Sequence, residues 1–287
     1  MVIVNPEIAK VAVIGAGAMG SGIALLFAKS GIYVHLVDIE QSLLDSGIEK
    51  INKLLKRSVE KGKLTVEKVE SIISHIIPML DIKKAMEGVE LVIEAIIENE
   101  KAKKILFSKL DKICNEDVIF ASNTSTISIT ELASVTNRAS KVIGMHFFNP
   151  PTIMKLVEIV KGKETSSTTV DTITKLSDKL GKISVPSNEA PGFIVNRVLW
   201  QFLNEAYSIF DEGIAEKEHI DQAIKFGLNH PMGPFELSDY IGLDVVFYMG
   251  EYISSQLGEK YKTHPLLKKM VEEGKLGRKT GEGFYKY

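Results

Sequence analysis

The chain has 287 residues, 45% of them hydrophobic, which is enough apolar content to bury the core of one or two domains. Its formal net charge of −2 argues against a nucleic-acid-binding or membrane-surface protein, although a local basic patch for an anionic ligand is compatible with it. The single cysteine, Cys114, excludes an intramolecular disulfide, and a reducing, cytoplasmic location is expected. Histidines and carboxylates lack metal-ligand spacing, so no metal site is expected.

A glycine-rich stretch near the start of the chain has the pattern of a dinucleotide-binding turn. A short apolar strand over residues 11–14 leads into Gly-x-Gly-x-x-Gly, and a helix over about residues 19–29 follows. Gly15 would permit the tight turn, Gly17 would let the backbone approach a pyrophosphate, and Gly20 would let the helix pack against the strand. The phosphates would face the unpaired N–H groups of the helix start. The predicted contacts are Gly15, Ala16, Gly17, Ala18, Met19 and Gly20.

Asp38 extends this prediction to the identity of the cofactor. It ends a second strand, residues 33–38, and stands 18 positions after Gly20. Its carboxylate would accept hydrogen bonds from the adenosine ribose and repel a 2′-phosphate, which favours NAD over NADP. The uncharged run over residues 11–28 also suggests a signal peptide or membrane span, but its four glycines and short length make that interpretation weak.

Residues 42–75 form a long charged stretch with apolar residues at helical spacing. Its middle is basic. Such lysines usually form a solvated helix face, and the functional alternative is a landing site for a phosphorylated ligand. The basic residues are Lys53, Lys56, Arg57, Lys61 and Lys63.

Strands and helices then alternate as far as about residue 186. This alternation predicts an α/β fold of the Rossmann type, with a doubly wound, mostly parallel sheet. Ser128 and Glu131 have the spacing of a capping box at the start of a helix. The predicted strands cover residues 89–96, 118–122, 142–148, 155–160 and 183–186, and the predicted helices run to about 114 and over 128–135 and 168–180.

The pattern becomes helical after Pro191-Gly192. We expect a first domain over residues 1–189 and a smaller all-helical domain over residues 190–287. The apolar side chains of the second domain exceed what four short helices can bury, which predicts a homodimer through that domain. The expected helices lie near 193–212, 217–227, 234–257 and 264–274, and the apolar residues include Trp200, Phe202, Tyr207, Phe247, Tyr248 and Tyr252.

His146 is the best candidate among six histidines for a general acid/base. It ends an apolar strand, and the carboxyl ends of strands form the ligand crevice in open α/β sheets. A lone histidine in an apolar run is more often a core residue. Glu158, twelve positions later, also lies inside an apolar strand, where a carboxylate needs a partner. That partner is either a structural lysine such as Lys155 or His146, whose ring it would orient.

Two further polar positions fit a substrate site. Asn196 shares one face of an apolar helix with Phe193 and Trp200 and could bind a substrate oxygen, although buried asparagines usually satisfy local backbone groups. Ser125 lies in the polar loop after the 118–122 strand, where its hydroxyl could do the same.

With these motifs together, the chain from about Lys10 to Tyr287 resembles the short-chain L-3-hydroxyacyl-CoA dehydrogenases, and within them the prokaryotic 3-hydroxybutyryl-CoA dehydrogenases. Jointly the motifs are far more specific than the glycine motif alone. They are Gly15-Ala-Gly-Ala-Met-Gly20, Ser122-Asn-Thr-Ser125, His146-Phe-Phe-Asn-Pro150, Pro191-Gly-Phe-Ile-Val-Asn-Arg197, Pro231-Met-Gly-Pro-Phe-Glu236 and Lys279-Thr-Gly-Glu-Gly-Phe-Tyr285.

The resemblance implies roles for individual residues. His146 is implied as the catalytic acid/base and Glu158 as its partner, with Ser125 and Asn196 at the substrate. The long helix after the second strand would hold the CoA phosphates, with Lys56 and Lys61 as contacts, although Leu54 stands where a polar contact is expected. The cofactor contacts implied besides the glycine motif and Asp38 are Glu98, Lys103, Ser125, Asn149 and Lys279.

The predicted function is the reversible, NAD-dependent oxidation of (S)-3-hydroxyacyl-CoA, with 3-hydroxybutyryl-CoA as the expected substrate. One alternative is a dehydrogenase of free β-hydroxyacids, which usually place a catalytic lysine where this chain has Asn196-Arg197. Another is a non-catalytic dinucleotide-binding protein on the same fold. The expected partners are an acyl-CoA and a second copy of the chain, with no nucleic acid and no membrane.

Overall fold

The computed structural model describes residues 8–287, so the first seven residues of the predicted first domain lie outside the described part. The chain divides into two compact units between Glu189 and Ala190. The first unit contains the sheet and the second is helical. Within residues 8–287, no helix is long and apolar enough to cross a membrane.

Over its described residues, 8–189, the first unit is built on one sheet of eight strands in the order β3-β2-β1-β4-β5-β6-β7-β8. All neighbouring pairs are parallel except β6 and β7, which are antiparallel. This confirms the predicted doubly wound, mostly parallel α/β sheet. The strands are β1 Lys10–Ile14, β2 Tyr33–Val37, β3 Ile76–Met79, β4 Leu91–Glu94, β5 Ile119–Ser122, β6 Val142–Phe147, β7 Leu156–Lys161 and β8 Ile183–Asn188.

The central strands are apolar runs because helices cover both faces of the sheet. Every residue of β4 and β6 is buried. β3 was not among the predicted strands, because this edge strand has two exposed residues and an internal Pro78 and lacks both the alternating and the continuous apolar pattern.

The helices of the first unit lie between these strands, and the stretch over residues 42–75 is two helices rather than one. Gly62, at φ +65°, forms the turn that ends the first, and the Thr65 side chain caps the second. The helices are α1 Ala18–Lys29, α2 Gln41–Glu60, α3 Val66–Ser74, α4 Ile82–Ala85, α5 Glu100–Ile113, α6 Ile129–Ala133 and α7 Ser167–Lys179.

The second unit packs five helices around Trp200, which is fully buried and donates its indole N–H to the Tyr261 carbonyl at 2.9 Å. The predicted single helix over residues 234–257 is wrong, because Gly242 at φ +103° separates two helices. A glycine inside an apolar helical pattern does not reveal such a break. The helices are α8 Val195–Asp211, α9 Lys217–Gly227, α10 Pro234–Ile241, α11 Leu243–Leu257 and α12 Pro265–Glu272.

Candidate active site

The glycine turn between β1 and α1 shows why each glycine is there. A Cβ on Gly15, which has φ +105°, would stand 2.5 Å from the Ala95 carbonyl oxygen, and a Cβ on Gly20 would stand 1.8 Å from the Gly15 carbonyl oxygen. A Cβ on Gly17 would meet no protein atom within 4 Å. The fold therefore needs Gly15 and Gly20 for its own packing, whereas the open space at Gly17, the residue before α1, suits the close approach of a pyrophosphate.

Asp38 follows β2 and reaches the glycine turn. One carboxylate oxygen accepts the Ala16 N–H at 2.6 Å and the other accepts the Ile39 N–H at 2.7 Å. A carboxylate offers about four acceptor positions, and the side chain is only half-buried. It can therefore accept hydrogen bonds from ribose hydroxyls in addition to these two backbone bonds. The residue therefore also shapes the turn, a contact that the sequence analysis did not anticipate.

Glu94 is a buried carboxylate at the end of β4 that the sequence analysis missed. One oxygen lies 2.9 Å from the Lys103 ammonium and accepts the Ile96 N–H at 2.7 Å, and the other accepts the Ser122 hydroxyl at 2.6 Å. The pKa of Glu94 is raised above its ordinary value. Burial is the cause, and the charge of Lys103 and the Ser122 hydroxyl offset only part of its effect. An acid inside an apolar strand, the feature that singled out Glu158, would have identified Glu94 as well.

Glu98 organises the loop that carries Ser125. Its second carboxylate oxygen lies 2.9 Å from the same Lys103 ammonium. Its first accepts hydrogen bonds from the Thr124 hydroxyl at 2.6 Å, the Ser125 N–H at 2.8 Å and the Thr126 N–H at 3.0 Å. Burial alone would raise the pKa of Glu98, but the Lys103 charge and these donors lower it to about 2. Glu98 is therefore ionised at any working pH, and the Ser125 hydroxyl lies 3.3 Å from it.

Lys103 is 1% exposed and holds both carboxylates. The three residues form a compact group that we call the Glu94–Glu98–Lys103 cluster. Its formal charge is negative, with two carboxylates around one ammonium.

His146 and Glu158 are direct partners across the antiparallel pair of β6 and β7. The His146 Nδ1 atom lies 2.7 Å from the Glu158 Oε2 atom, and the two residues are 6% and 0% exposed. Of the two pairings left open for Glu158, the structure shows the one with His146, while Lys155 is exposed. The His146 ring also packs on Phe148, with ring centroids 4.6 Å apart. We call these two residues the His146–Glu158 pair.

The pair and the cluster lie at the same end of the sheet, where the parallel strands β4, β5 and β6 have their carboxyl ends. Asn123 connects them directly. Its backbone N–H donates to the Glu94 carbonyl at 2.8 Å, and its side-chain oxygen accepts the Phe147 N–H at 2.9 Å. The loop with Ser125 is thereby tied to the strand end with His146.

The remaining predicted contacts are more scattered. Asn149 is exposed in the loop after β6, and Lys56 and Lys61 are exposed at the end of α2 and just beyond it. Asn196 lies half-buried in the first turn of α8, in the second unit. Lys279 belongs to that unit too, where its ammonium pairs with the Asp244 carboxylate. In residues 8–287, no group of three histidine, cysteine, aspartate or glutamate side chains could hold a metal ion.

Comparison with known proteins places these features in a family. Residues 10–190 match the model of the 3-hydroxyacyl-CoA dehydrogenase NAD-binding domain. Residues 192–287 match the model of the 3-hydroxyacyl-CoA dehydrogenase C-terminal domain. The prediction of an NAD-binding domain is thus confirmed.

Relatives and solved structures agree over nearly the whole chain. The chain is 47% identical over 282 residues to a probable 3-hydroxybutyryl-CoA dehydrogenase of Bacillus subtilis, covering 98% of each chain. It is 44% identical over 284 residues to the human mitochondrial hydroxyacyl-coenzyme A dehydrogenase, covering 96% of this chain and 90% of the relative. The crystal structure of (S)-3-hydroxybutyryl-CoA dehydrogenase from Ralstonia eutropha superposes with a TM-score of 0.94 at 42% identity, over 98% and 99% of the two chains. The chain therefore belongs to the 3-hydroxyacyl-CoA dehydrogenase family.

Proposed function

We propose that this enzyme interconverts (S)-3-hydroxybutyryl-CoA and acetoacetyl-CoA with NAD, using His146 as the general acid/base. The four-carbon substrate is supported by the relatives in Bacillus subtilis and Ralstonia eutropha, which are both named as 3-hydroxybutyryl-CoA dehydrogenases. The open approach at Gly17 and the carboxylate of Asp38 fit the pyrophosphate and ribose of NAD. Bound NAD supplies the hydride acceptor.

The observation that carries the mechanism is the 2.7 Å contact between His146 Nδ1 and Glu158 Oε2. The carboxylate holds Nδ1, so Nε2 is the nitrogen that exchanges a proton with the substrate. In oxidation, His146 takes the proton of the C3 hydroxyl as the hydride leaves C3, and in reduction the imidazolium returns it. Glu158 stabilises that imidazolium and fixes the ring plane. Because both side chains are buried, little water competes for the proton.

The Glu94–Glu98–Lys103 cluster stabilises the same end of the sheet, at the carboxyl end of β4. The resemblance implies Lys103 as a cofactor contact, but its side chain is 1% exposed and its ammonium is bonded to two carboxylates, so we assign it a positioning role through Glu98 instead. Glu98 then holds the Ser125 loop, and Ser125 contacts the substrate and cofactor.

Other assignments extend this proposal. Asn196 contacts the substrate, Asn149 and Lys279 contact the cofactor, and Lys56 and Lys61 contact CoA phosphates. Residues 190–287 bind substrate and form a homodimer, and the enzyme works in the cytoplasm. The homodimer is supported by large apolar side chains exposed in this unit, such as Phe226 at 82% and Tyr248 at 67%.

The test compares NADH oxidation with acetoacetyl-CoA, free acetoacetate and 3-ketoacyl-CoAs from C4 to C16. We expect kcat/KM to be highest for acetoacetyl-CoA and far lower for acetoacetate. A preference for the free acid would replace the proposal with a β-hydroxyacid dehydrogenase. NADH binding without turnover of any acyl-CoA would indicate a non-catalytic protein, and NADPH in parallel tests the role of Asp38.

A further inference from the structure

The loop over residues 148–155 joins the two strands that carry His146 and Glu158. It reverses the chain between β6 and β7 without a helix and begins next to Phe147, which pairs with Val157 at the end of the ladder. Pro151 is buried within it, while the following Ile153 is 71% exposed. We call this segment the 148–155 loop.

Lys182 binds the backbone of this loop. It lies between α7 and β8 and is 9% exposed. Its ammonium donates to the Pro151 carbonyl at 2.5 Å and to the Met154 carbonyl at 2.6 Å. Burial lowers the pKa of Lys182, because the charged form loses part of its hydration there. A buried ammonium bonded to two loop carbonyls stabilises one loop conformation.

Gly22 of α1 contacts the same loop at the Pro151 ring. A Cβ on Gly22 would stand 2.5 Å from the Pro151 Cγ atom, so the proline ring packs directly on the helix backbone. The start of α1 forms the glycine turn proposed to hold the cofactor phosphates. Pro151 thus links the phosphate-binding helix to the loop that follows His146.

We infer that Lys182 is a positioning residue for hydride transfer. Through the Pro151 and Met154 carbonyls it presses the 148–155 loop against Gly22, and so fixes the distance between His146 and the nucleotide at the glycine turn. This inference rests on the proposed function. It predicts that loss of the ammonium slows the chemical step more than it weakens binding, because a displacement of ~1 Å can lower a rate about 10²-fold.

The test is Lys182→Met, which keeps side-chain length and removes the donors, with Lys175→Met on the exposed side of α7 as the matched control. The measurements are NADH affinity by fluorescence, kcat and KM for acetoacetyl-CoA, and the primary isotope effect with NADH deuterated at C4. For Lys182→Met we expect kcat to fall ~10- to 100-fold with NADH affinity and KM near wild type, and the isotope effect to rise. Lys182→Arg, which restores the donors, should recover most of kcat.

Gly22→Ala displaces the Pro151 ring and should give the same loss of kcat and the same rise in isotope effect, even if Lys182→Met folds poorly. Lys182→Met kinetics equal to those of Lys175→Met would overturn the inference. So would a lower kcat explained by the unfolded fraction, with an unchanged isotope effect and no recovery in Lys182→Arg. Absence of acetoacetyl-CoA turnover in the wild-type enzyme would instead refute the proposed function.

Discussion

The His146–Glu158 pair and the Glu94–Glu98–Lys103 cluster both contain buried carboxylates at the carboxyl ends of the central strands. The two groups differ in the nitrogen atoms that these carboxylates face. Glu158 faces an imidazole, whose second ring nitrogen is able to exchange a proton with a ligand. Glu94 and Glu98 face one ammonium, which donates hydrogen bonds to both and accepts none. The pair is therefore suited to moving a proton, and the cluster to holding a loop in place. Four substitutions should separate these two roles.

His146→Gln should have the largest effect, because it removes the group that exchanges the proton. We expect kcat to fall ~10²- to 10⁴-fold, with NADH affinity close to wild type. Steady-state kinetics and NADH fluorescence measure both, and the exposed His219→Gln is the control. Near-normal turnover would remove His146 from the mechanism.

Lys103→Met should affect stability above all. It leaves the fully buried Glu94 carboxylate without its cation, and breaking a buried ion pair in this way costs about 3 kcal/mol. Urea denaturation of the variant measures the free energy of unfolding. The exposed Lys101→Met on the same helix provides the comparison. A Lys103→Met protein as stable as the control would show that the cluster is not structural.

Glu158→Gln should lower kcat by about 10- to 100-fold, less than His146→Gln, since the proton-transferring ring remains but loses its orienting charge. Glu158→Asp should retain part of the lost activity. Glu164→Gln, at an exposed position, controls for the loss of one charge. Equal losses in Glu158→Gln and Glu158→Asp, with a lower melting temperature in both, would point to a packing role instead.

Glu98→Gln should have the smallest effect and the clearest pH dependence. The pKa of Glu98 is lowered to about 2, so its ionised form stabilises the fold above its ordinary pKa of about 4.5, and this contribution is lost as the pH falls towards 2. Its side chain is 37% exposed, and water screens the ion pair. Unfolding free energies at pH 7, 5, 4 and 3 should therefore show a wild-type advantage that shrinks below about pH 4.5.

Glu116→Gln, an exposed acid elsewhere in the first unit, is the control for that series. A wild-type advantage that grows on acidification would contradict an ionised Glu98 in the native state.

Much of the site at the carboxyl ends of the strands could be predicted from local sequence patterns. A polar residue inside an apolar strand must find a partner, which identified His146 and Glu158 before their 2.7 Å contact was seen. The same rule applied to Glu94 would have found the cluster. The edge strand β3 could not be predicted, because Pro78 and two exposed residues break the apolar pattern of a strand. The break between α10 and α11 could not be predicted either, because the sequence does not show that Gly242 has a positive φ.

The fold class, the glycine turn with Asp38, and His146 as the acid/base candidate could be predicted from the chain, since each depends on a few neighbouring residues and their spacing. Three contacts are visible only in the folded protein: Lys103 with two carboxylates, Glu98 with the Ser125 loop, and Lys182 with the 148–155 loop. Lys182 lies 31 positions from Pro151 along the chain. Such contacts join segments brought together by strand order, and no local pattern records them.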